Sequence, residues 1–102
     1  MEVKTLDKEL EDFIYSLEKQ TIAKVIKTVG LLEKFGNLLT LPHSKKLYKN
    51  LFELRIRGAQ EVRIFYAFHK NQAVLLHGFI KKSQKTPLKE LNLALKKLKS
   101  LT

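Results

Sequence analysis

The chain has 102 residues, no cysteine, and twenty lysines and arginines against ten acidic residues, for a net charge of +10. This length predicts a single domain over residues 1–102, and the lack of cysteine excludes disulfides and thiolate metal sites. No apolar run reaches the roughly 18 to 20 residues of a membrane span, and the acidic N-terminus argues against a secretory signal, so we expect a cytoplasmic protein with no membrane partner.

The positive charge is concentrated in the second part of the chain. Residues 1–42 carry six lysines and no arginine against seven acidic residues, a net charge of −1. Residues 43–102 carry fourteen basic residues, including all three arginines, against three acidic ones, a net charge of +11. A polarised excess of this kind is typical of a surface that binds a polyanion, such as nucleic acid.

The first part of the chain predicts a short strand followed by a helical hairpin. Glu2–Lys4 is the candidate strand. Apolar residues then recur at helical spacing from Leu6 to Leu17 and again over Gln20–Phe35, where Gly36 ends the second helix. Acidic residues lie opposite the apolar stripe of the first helix. The next residues, 38–49, are predicted to form a loop.

From residue 51 the apolar period changes to two, which predicts three strands. They span Leu51–Arg57, Glu61–Phe68 and Ala73–Ile80, and short turns join them into an antiparallel meander. A last helix is predicted over Pro87–Leu98, with Thr86 as its N-cap. This order of elements predicts an α+β fold with the helices on one face of the sheet and the other face open.

The open face of the predicted meander collects basic side chains. Strand alternation places Arg55, Arg63 and His77 on this face, and Lys81 follows the third strand. Guanidinium groups bind phosphate oxygens and stabilise a pentacoordinate phosphorus. Lysine or histidine can move the protons for attack by a ribose 2′-hydroxyl. These four residues are the candidate catalytic set, although a semi-buried, hydrogen-bonded structural histidine is the competing interpretation of His77.

Other residues of the basic part are candidate RNA contacts. Two aromatic rings predicted on the same face, Phe65 and Phe79, could stack a base. The basic candidates are Lys45, Lys46, Lys49, Arg57, Lys82 and Lys85. Acidic residues lie mostly on the first helix, so the basic part offers no carboxylate cluster for a metal ion. We therefore expect no metal and no other cofactor.

Three stretches resemble the RelE/HigB toxin superfamily, and its phage-derived HigB-like branch most closely. They are L-x-E-L-R ending at Arg55, R-I-x-Y beginning at Arg63, and H-x-F-x-K-K-x-x-K-T-P beginning at His77. The combination is specific, and it covers about residues 45–100. The resemblance implies a small α+β toxin encoded beside an antitoxin, typically a helix-turn-helix protein. It also implies a metal-independent endoribonuclease that cuts mRNA on the ribosome and so inhibits translation.

The resemblance assigns roles to three residues. Arg55 matches a basic residue of the first meander strand, and Arg63 matches an arginine that contacts phosphate and transition state. Lys81 matches a basic residue that stabilises the leaving group or phosphate.

The chain departs from RelE proper at two positions. Glu53 stands where RelE has a lysine, and Pro87 stands roughly where it has a tyrosine. The general base is therefore open: His77, Lys82 or the ribosomal RNA could take that role.

Two other functions fit the same sequence. The relative ParE has a similar fold and poisons gyrase without cutting RNA, because fold alone does not fix activity. A non-catalytic module that binds RNA or an acidic protein needs only the basic surface. For a toxin, the antitoxin would either cover the arginine face or displace or hold the last helix. The acidic first helix favours an interface on the helices. An ordinary solvated helix face is the alternative.

Overall fold

A computed structural model, which describes residues 1–101, shows a five-stranded mixed sheet with helices on both faces. The strands are β1 Glu2–Thr5, β2 Ser44–Tyr48, β3 Leu51–Ile56, β4 Val62–His69 and β5 Gln72–Ile80. The helices are α1 Lys8–Tyr15, α2 Lys19–Phe35 and α3 Leu88–Lys99, and a single 3₁₀ turn follows α2. The predicted α+β class, N-terminal strand, helical hairpin, meander and C-terminal helix are confirmed.

The sheet has the strand order β1-β5-β4-β3-β2. Strands β2 to β5 pair antiparallel, and β1 pairs parallel with β5 at the edge. Strand β2 lies within the segment predicted as a loop. Lys45, Lys46 and Tyr48 are exposed, so this edge strand lacks the apolar alternation that marks β3 and β4. Strand β2 pairs with β3 through backbone hydrogen bonds, which any side chain allows, so the sequence of β2 shows no strand pattern.

Helices α1 and α2 pack on the first face of the sheet. The buried residues of this core are Leu10, Leu17, Val25, Leu32, Leu54, Ile56, Val62, Ile64, Tyr66, Ala73 and Leu75. Asp7 caps α1 by accepting the backbone N–H of Leu10 at 3.0 Å. Helix α2 ends at Gly36, whose φ of 54° favours glycine. Two residues of its predicted stripe, Ile26 and Phe35, are exposed, and Thr28 is buried in their place.

Helix α3 covers the second face, so the prediction of an open face is wrong. The buried residues of this second core are Leu51, Phe65, Ala67, Val74, Leu76, Phe79 and Ala94. Leucines 91, 95 and 98 of α3 pack at its margin. The three central strands carry apolar residues on both sides, and an apolar sheet face needs a covering layer.

A register shift in β5 changes which residues share a face. Tyr66 pairs with Leu75 while the preceding Phe65 pairs with His77, so Leu76 is the extra residue of a β-bulge. The period of two that predicted a strand over Ala73–Ile80 is therefore interrupted at Leu76. Val74 and Leu76 belong to the second core, and Ile80 packs on the first. None of the helices in residues 1–101 is long and apolar enough to cross a membrane.

Candidate functional site

A cleft of about 520 Å³ lies where β3 ends and β4 begins. It is lined by Arg57, Glu61, Arg63, Lys81, Lys82, Ser83 and Gln84. Four of these seven side chains are basic and one is acidic, so the cleft suits an anionic ligand. Helix α3 leaves this end free, because it runs from the side of His77 towards Tyr48 and His69.

Arg63 forms the floor of the cleft and is held on two sides. Its side chain is only 5% exposed. Its Nη1 donates to Glu61 Oε2 and to the carbonyl of Val62, both at 3.3 Å. Its Nε lies 3.6 Å from Glu53 Oε1 and makes no hydrogen bond. The guanidinium therefore has a fixed position, with little freedom to follow a ligand.

Arg55 lies directly beside Arg63, as the strand alternation predicted. The two residues are cross-strand partners in the register of β3 and β4. Arg55 Nε donates to Glu53 Oε1 at 3.1 Å. Arg55 is also one of the residues that border a neighbouring cavity of about 250 Å³ beside α2, and it is not among the residues that line the main cleft. Both arginines therefore meet at one carboxylate, but only Arg63 lines the main cleft.

Glu53 is the site residue that the sequence analysis did not select. Its side chain is 2% exposed, and it contacts Arg55 and Arg63 through one oxygen. Its other oxygen accepts the Thr86 hydroxyl at 3.4 Å. The available signal was its position: alternation puts Glu53 on the same face as Arg55, and a buried carboxylate needs cationic partners.

The segment after β5 supplies the remaining cationic groups of the cleft. The backbone N–H of Lys81 donates to the carbonyl of Glu61 at 2.7 Å, which places this lysine beside the start of β4. Lys81 and Lys82 both line the cleft. Lys85 is exposed outside the lining, and its carbonyl accepts the Ser83 hydroxyl at 2.9 Å.

Thr86 is not the N-cap of α3, contrary to the prediction. Pro87 occupies that position, and its carbonyl accepts the N–H of Glu90 at 3.1 Å. The Thr86 side chain instead points to Glu53. The hydroxyl therefore attaches the segment to the sheet and does not cap the helix.

His77 lies outside the cleft. Its Nε2 is 2.7 Å from Glu90 Oε1 of α3, and its side chain is 13% exposed. It lines a separate cavity of about 240 Å³ next to Phe13 of α1. His77 does share the sheet face of Arg63, as the alternation predicted, because it pairs with Phe65 and its ring stacks with that of Phe65. It does not line the cleft, and its contact with Glu90 supports the competing interpretation of a semi-buried, hydrogen-bonded histidine.

The two candidate stacking rings are core residues. Phe65 is 0% exposed and Phe79 is 5% exposed. Their ring centroids are 5.6 Å apart, and both rings belong to the core beneath α3. Neither ring offers a free face to a base, so their predicted role in stacking is wrong for this structure. Helix α3 covers both rings on the face that the sequence analysis expected to be open.

The three lysines of the 45–49 region do not converge on the cleft. Lys45 pairs with Glu53 in register, so it lies on the same sheet face as the arginines. Lys46 lies on the other face, with its Nζ 5.9 Å from the ring centroid of Phe52. Lys49 lies at the opposite end of β3, beside the end of α3. Lys46 and Lys49 therefore lie outside the cleft that Arg63 lines.

Within residues 1–101, no three histidine, aspartate or glutamate side chains converge in a way that could hold a metal ion. The cleft itself contributes one carboxylate, Glu61, among its lining residues.

Comparison with known families gives one match. The model of the family described as phage-derived protein Gp49-like (DUF891) matches residues 12–99, which include all of the cleft. Comparison with curated proteins gives no match. The chain therefore belongs to the Gp49-like family of phage-derived proteins, a family associated with RelE and toxin-like proteins.

Proposed function

We propose that this protein is the toxin of a type II toxin–antitoxin system and that it cuts ribosome-bound mRNA without a metal ion, which inhibits translation. The observation that carries the proposal is the cleft, where Arg57, Arg63, Lys81 and Lys82 line one opening. Membership of a toxin-associated family supports it. The resemblance to RelE and HigB supplies the reaction.

The reaction needs only groups of the RNA and the cleft. The ribose 2′-oxygen attacks the adjacent phosphorus, and the bond from phosphorus to the 5′-oxygen breaks. The products are a 2′,3′-cyclic phosphate and a 5′-hydroxyl. Arg63 stabilises the negative charge on the pentacoordinate phosphorus. Lys81 gives a proton to the leaving 5′-oxygen, and Lys82 or a ribosomal group takes the proton of the 2′-hydroxyl.

A non-catalytic basic binding module is the second candidate, and the surroundings of Arg63 favour it. This guanidinium is almost fully buried and contacts two carboxylates. His77 is hydrogen-bonded to Glu90 outside the cleft. Among the basic side chains that line the cleft, Lys82 and Arg57 are the exposed ones. Such a cleft can bind phosphates electrostatically without cutting them.

The proposed partner is an antitoxin that binds the helices of the first face. Glu9, Glu11, Asp12 and Glu18 are exposed on or next to α1. A cavity of about 570 Å³ lies between β1, α1 and α2. Apolar residues of its lining include Ile14, Tyr15, Ile22 and Ile26. Exposed carboxylates beside an apolar groove repel RNA and suit a protein partner.

Paired lysine variants test catalysis directly. Lys81→Met removes a charge from the cleft, and Lys70→Met removes one from the exposed turn between β4 and β5. Wild type and Lys70→Met should arrest translation and cut mRNA inside coding sequence. Lys81→Met should cut roughly 10²-fold more slowly, as expected for a lost proton donor. Sequencing of mRNA ends after induction measures the cuts.

The other outcomes separate the alternatives. Intact mRNA with halted replication would indicate a ParE-like gyrase poison. Arrested translation with intact mRNA would indicate a binding module. In that case Lys81→Met should still reduce the slope of the logarithm of the RNA binding constant against the logarithm of the salt concentration, by about 0.7 for each lost phosphate contact. Co-expression of the neighbouring gene should relieve the arrest, and charge reversal of Glu11 and Glu18 should weaken that relief if α1 carries the interface.

A further inference from the structure

We propose that Glu53 is a positioning residue of the cleft: its carboxylate holds both arginines and the segment of residues 81–87 in the geometry that RNA cleavage requires. This inference rests on the proposed function and adds how its site is arranged. Glu53 stands where RelE proper has a lysine, so this chain would organise its site around a buried anion.

The contacts of Glu53 show how it would act. Its Oε1 lies 3.1 Å from Arg55 Nε and 3.6 Å from Arg63 Nε, and its Oε2 accepts the Thr86 hydroxyl at 3.4 Å. At 2% exposure the carboxylate does not reach solvent, so it would not touch RNA. Any effect on the reaction must pass through the groups that it contacts.

The guanidinium of Arg63 has acceptors beside two of its nitrogens. Glu53 Oε1 lies 3.6 Å from Nε, an ion pair without a hydrogen bond, while Glu61 and the carbonyl of Val62 accept from Nη1. A long side chain held in this way keeps one orientation. Preorganised charge stabilises a transition state without reorganisation at the moment of reaction. The buried carboxylate thus provides the rigidity that a flexible arginine lacks on its own.

The segment that carries the cleft lysines is attached to the sheet at both of its ends. At the start, the N–H of Lys81 donates to the carbonyl of Glu61. At the end, the Thr86 hydroxyl donates to Glu53. Loss of the Glu53 carboxylate would therefore loosen the two arginines and this segment together.

A positioning role and a purely electrostatic role predict opposite results. Glu53 reduces the positive charge of the cleft, so its neutralisation should strengthen the attraction of RNA phosphates. If charge were its only effect, RNA would bind more tightly and the rate per bound RNA would be unchanged. If Glu53 positions the arginines, the rate falls although binding does not weaken.

The test uses Glu53→Gln, which keeps the shape and removes the charge. Glu33→Gln, at the exposed end of α2, makes the same change in net charge and serves as the control. We expect kcat for mRNA cleavage on ribosomes to fall roughly 10²-fold in Glu53→Gln, as small misplacements of reacting groups do. KM and the Kd for an RNA oligonucleotide should be unchanged or lower, and Glu33→Gln should match the wild type.

An unchanged kcat in folded Glu53→Gln would overturn the proposal, as would a loss confined to KM. Should Glu53→Gln fail to fold, Thr86→Val removes only the Oε2 contact, and an unchanged kcat there would overturn it. A third measurement needs no variant and no cleavage. Hydrogen exchange by NMR should show Arg55 Nε–H exchanging more slowly than the Nε–H of exposed Arg57. Equal rates would refute the proposal that Glu53 holds Arg55, and this measurement does not depend on RNA cleavage. Failure of the wild type to cut RNA would by itself refute only the proposed function.

Discussion

The two faces of the sheet use the same three central strands but bury different chemistry. The first face, under α1 and α2, is an apolar core in which Ser44 and Tyr66 form a buried polar pair. The second face is apolar beneath α3 and charged beyond it, where Glu53, Arg55 and Arg63 meet. A face that is fully covered serves stability, whereas a face that is partly covered can also hold a site.

The extent of helix α3 decides where the charged site lies on the second face. Helix α3 has 12 residues, about 18 Å at 1.5 Å per residue. It begins after the segment of residues 81–87 and ends beside Tyr48 and His69, so its leucines lie over the part of the face away from Arg63. At the end of this face that α3 does not cover, the side chains contact one another through polar groups. Substitutions on the two faces should therefore have different consequences.

The largest effect on stability is expected from the first face. Ile64 is fully buried there, so Ile64→Ala should lower the free energy of unfolding by about 2–5 kcal/mol through lost contacts and a cavity. Leu98 of α3 is only half-buried on the second face, and Leu98→Ala should cost less than about 2 kcal/mol. Urea denaturation of both variants measures the difference, and equal losses would contradict the contrast between the faces.

A smaller effect is expected from the polar pair of the first face. The hydroxyls of Ser44 and Tyr66 are 2.6 Å apart and buried. Ser44→Ala leaves the phenol without this partner and should cost about 1–3 kcal/mol. Burial raises the pKa of Tyr66 and this hydrogen bond opposes the rise, so Ser44→Ala should raise the pKa further. Adding Tyr66→Phe should recover most of the lost stability, and a double variant as unstable as Ser44→Ala would contradict this account.

The smallest effect concerns the ion pair that joins the two helical layers. Asp7 Oδ2 at the start of α1 lies 3.0 Å from Lys97 Nζ of α3. Burial raises the pKa of Asp7, but the hydrogen bond from Leu10 N–H and the Lys97 ammonium outweigh it, so the pKa lies below the usual 3.8. A lowered folded-state pKa stabilises the protein above pH 3.8, and this contribution is lost as pH falls through the lowered value.

Asp7→Asn keeps a side chain that can cap the helix but removes the charge. It should cost at most about 1 kcal/mol at neutral pH, because Asp7 is partly exposed. The difference from wild type should begin to shrink as pH falls below 3.8 and should disappear once the pH lies below the lowered pKa of Asp7. Denaturation at neutral pH and at a pH below the lowered pKa of Asp7 checks this. Glu9→Gln is the control, since Glu9 lies 3.8 Å from the same ammonium and is 81% exposed. A difference that persists in acid would exclude the ion pair as its cause.

Local patterns were sufficient for most of the fold and for part of the site. Helical spacing identified α1 to α3, and alternation identified β3 to β5 and the neighbouring arginines. Strand β2 was not predictable because an exposed edge strand pairs through its backbone. The bulge at Leu76 was equally invisible, since one extra residue reverses the alternation without changing the composition.

The sequence by itself determined the helices, the strands other than β2, the polarised charge and the shared face of Arg55 and Arg63, because each depends on composition or on spacing along a strand or helix. Only the tertiary structure decided that α3 covers Phe65 and Phe79 and that Glu90 engages His77. It also decided that Glu53 lies buried between the arginines. These outcomes depend on contacts between residues distant in sequence, where burial requires each charge to find a partner and each apolar face to find a cover.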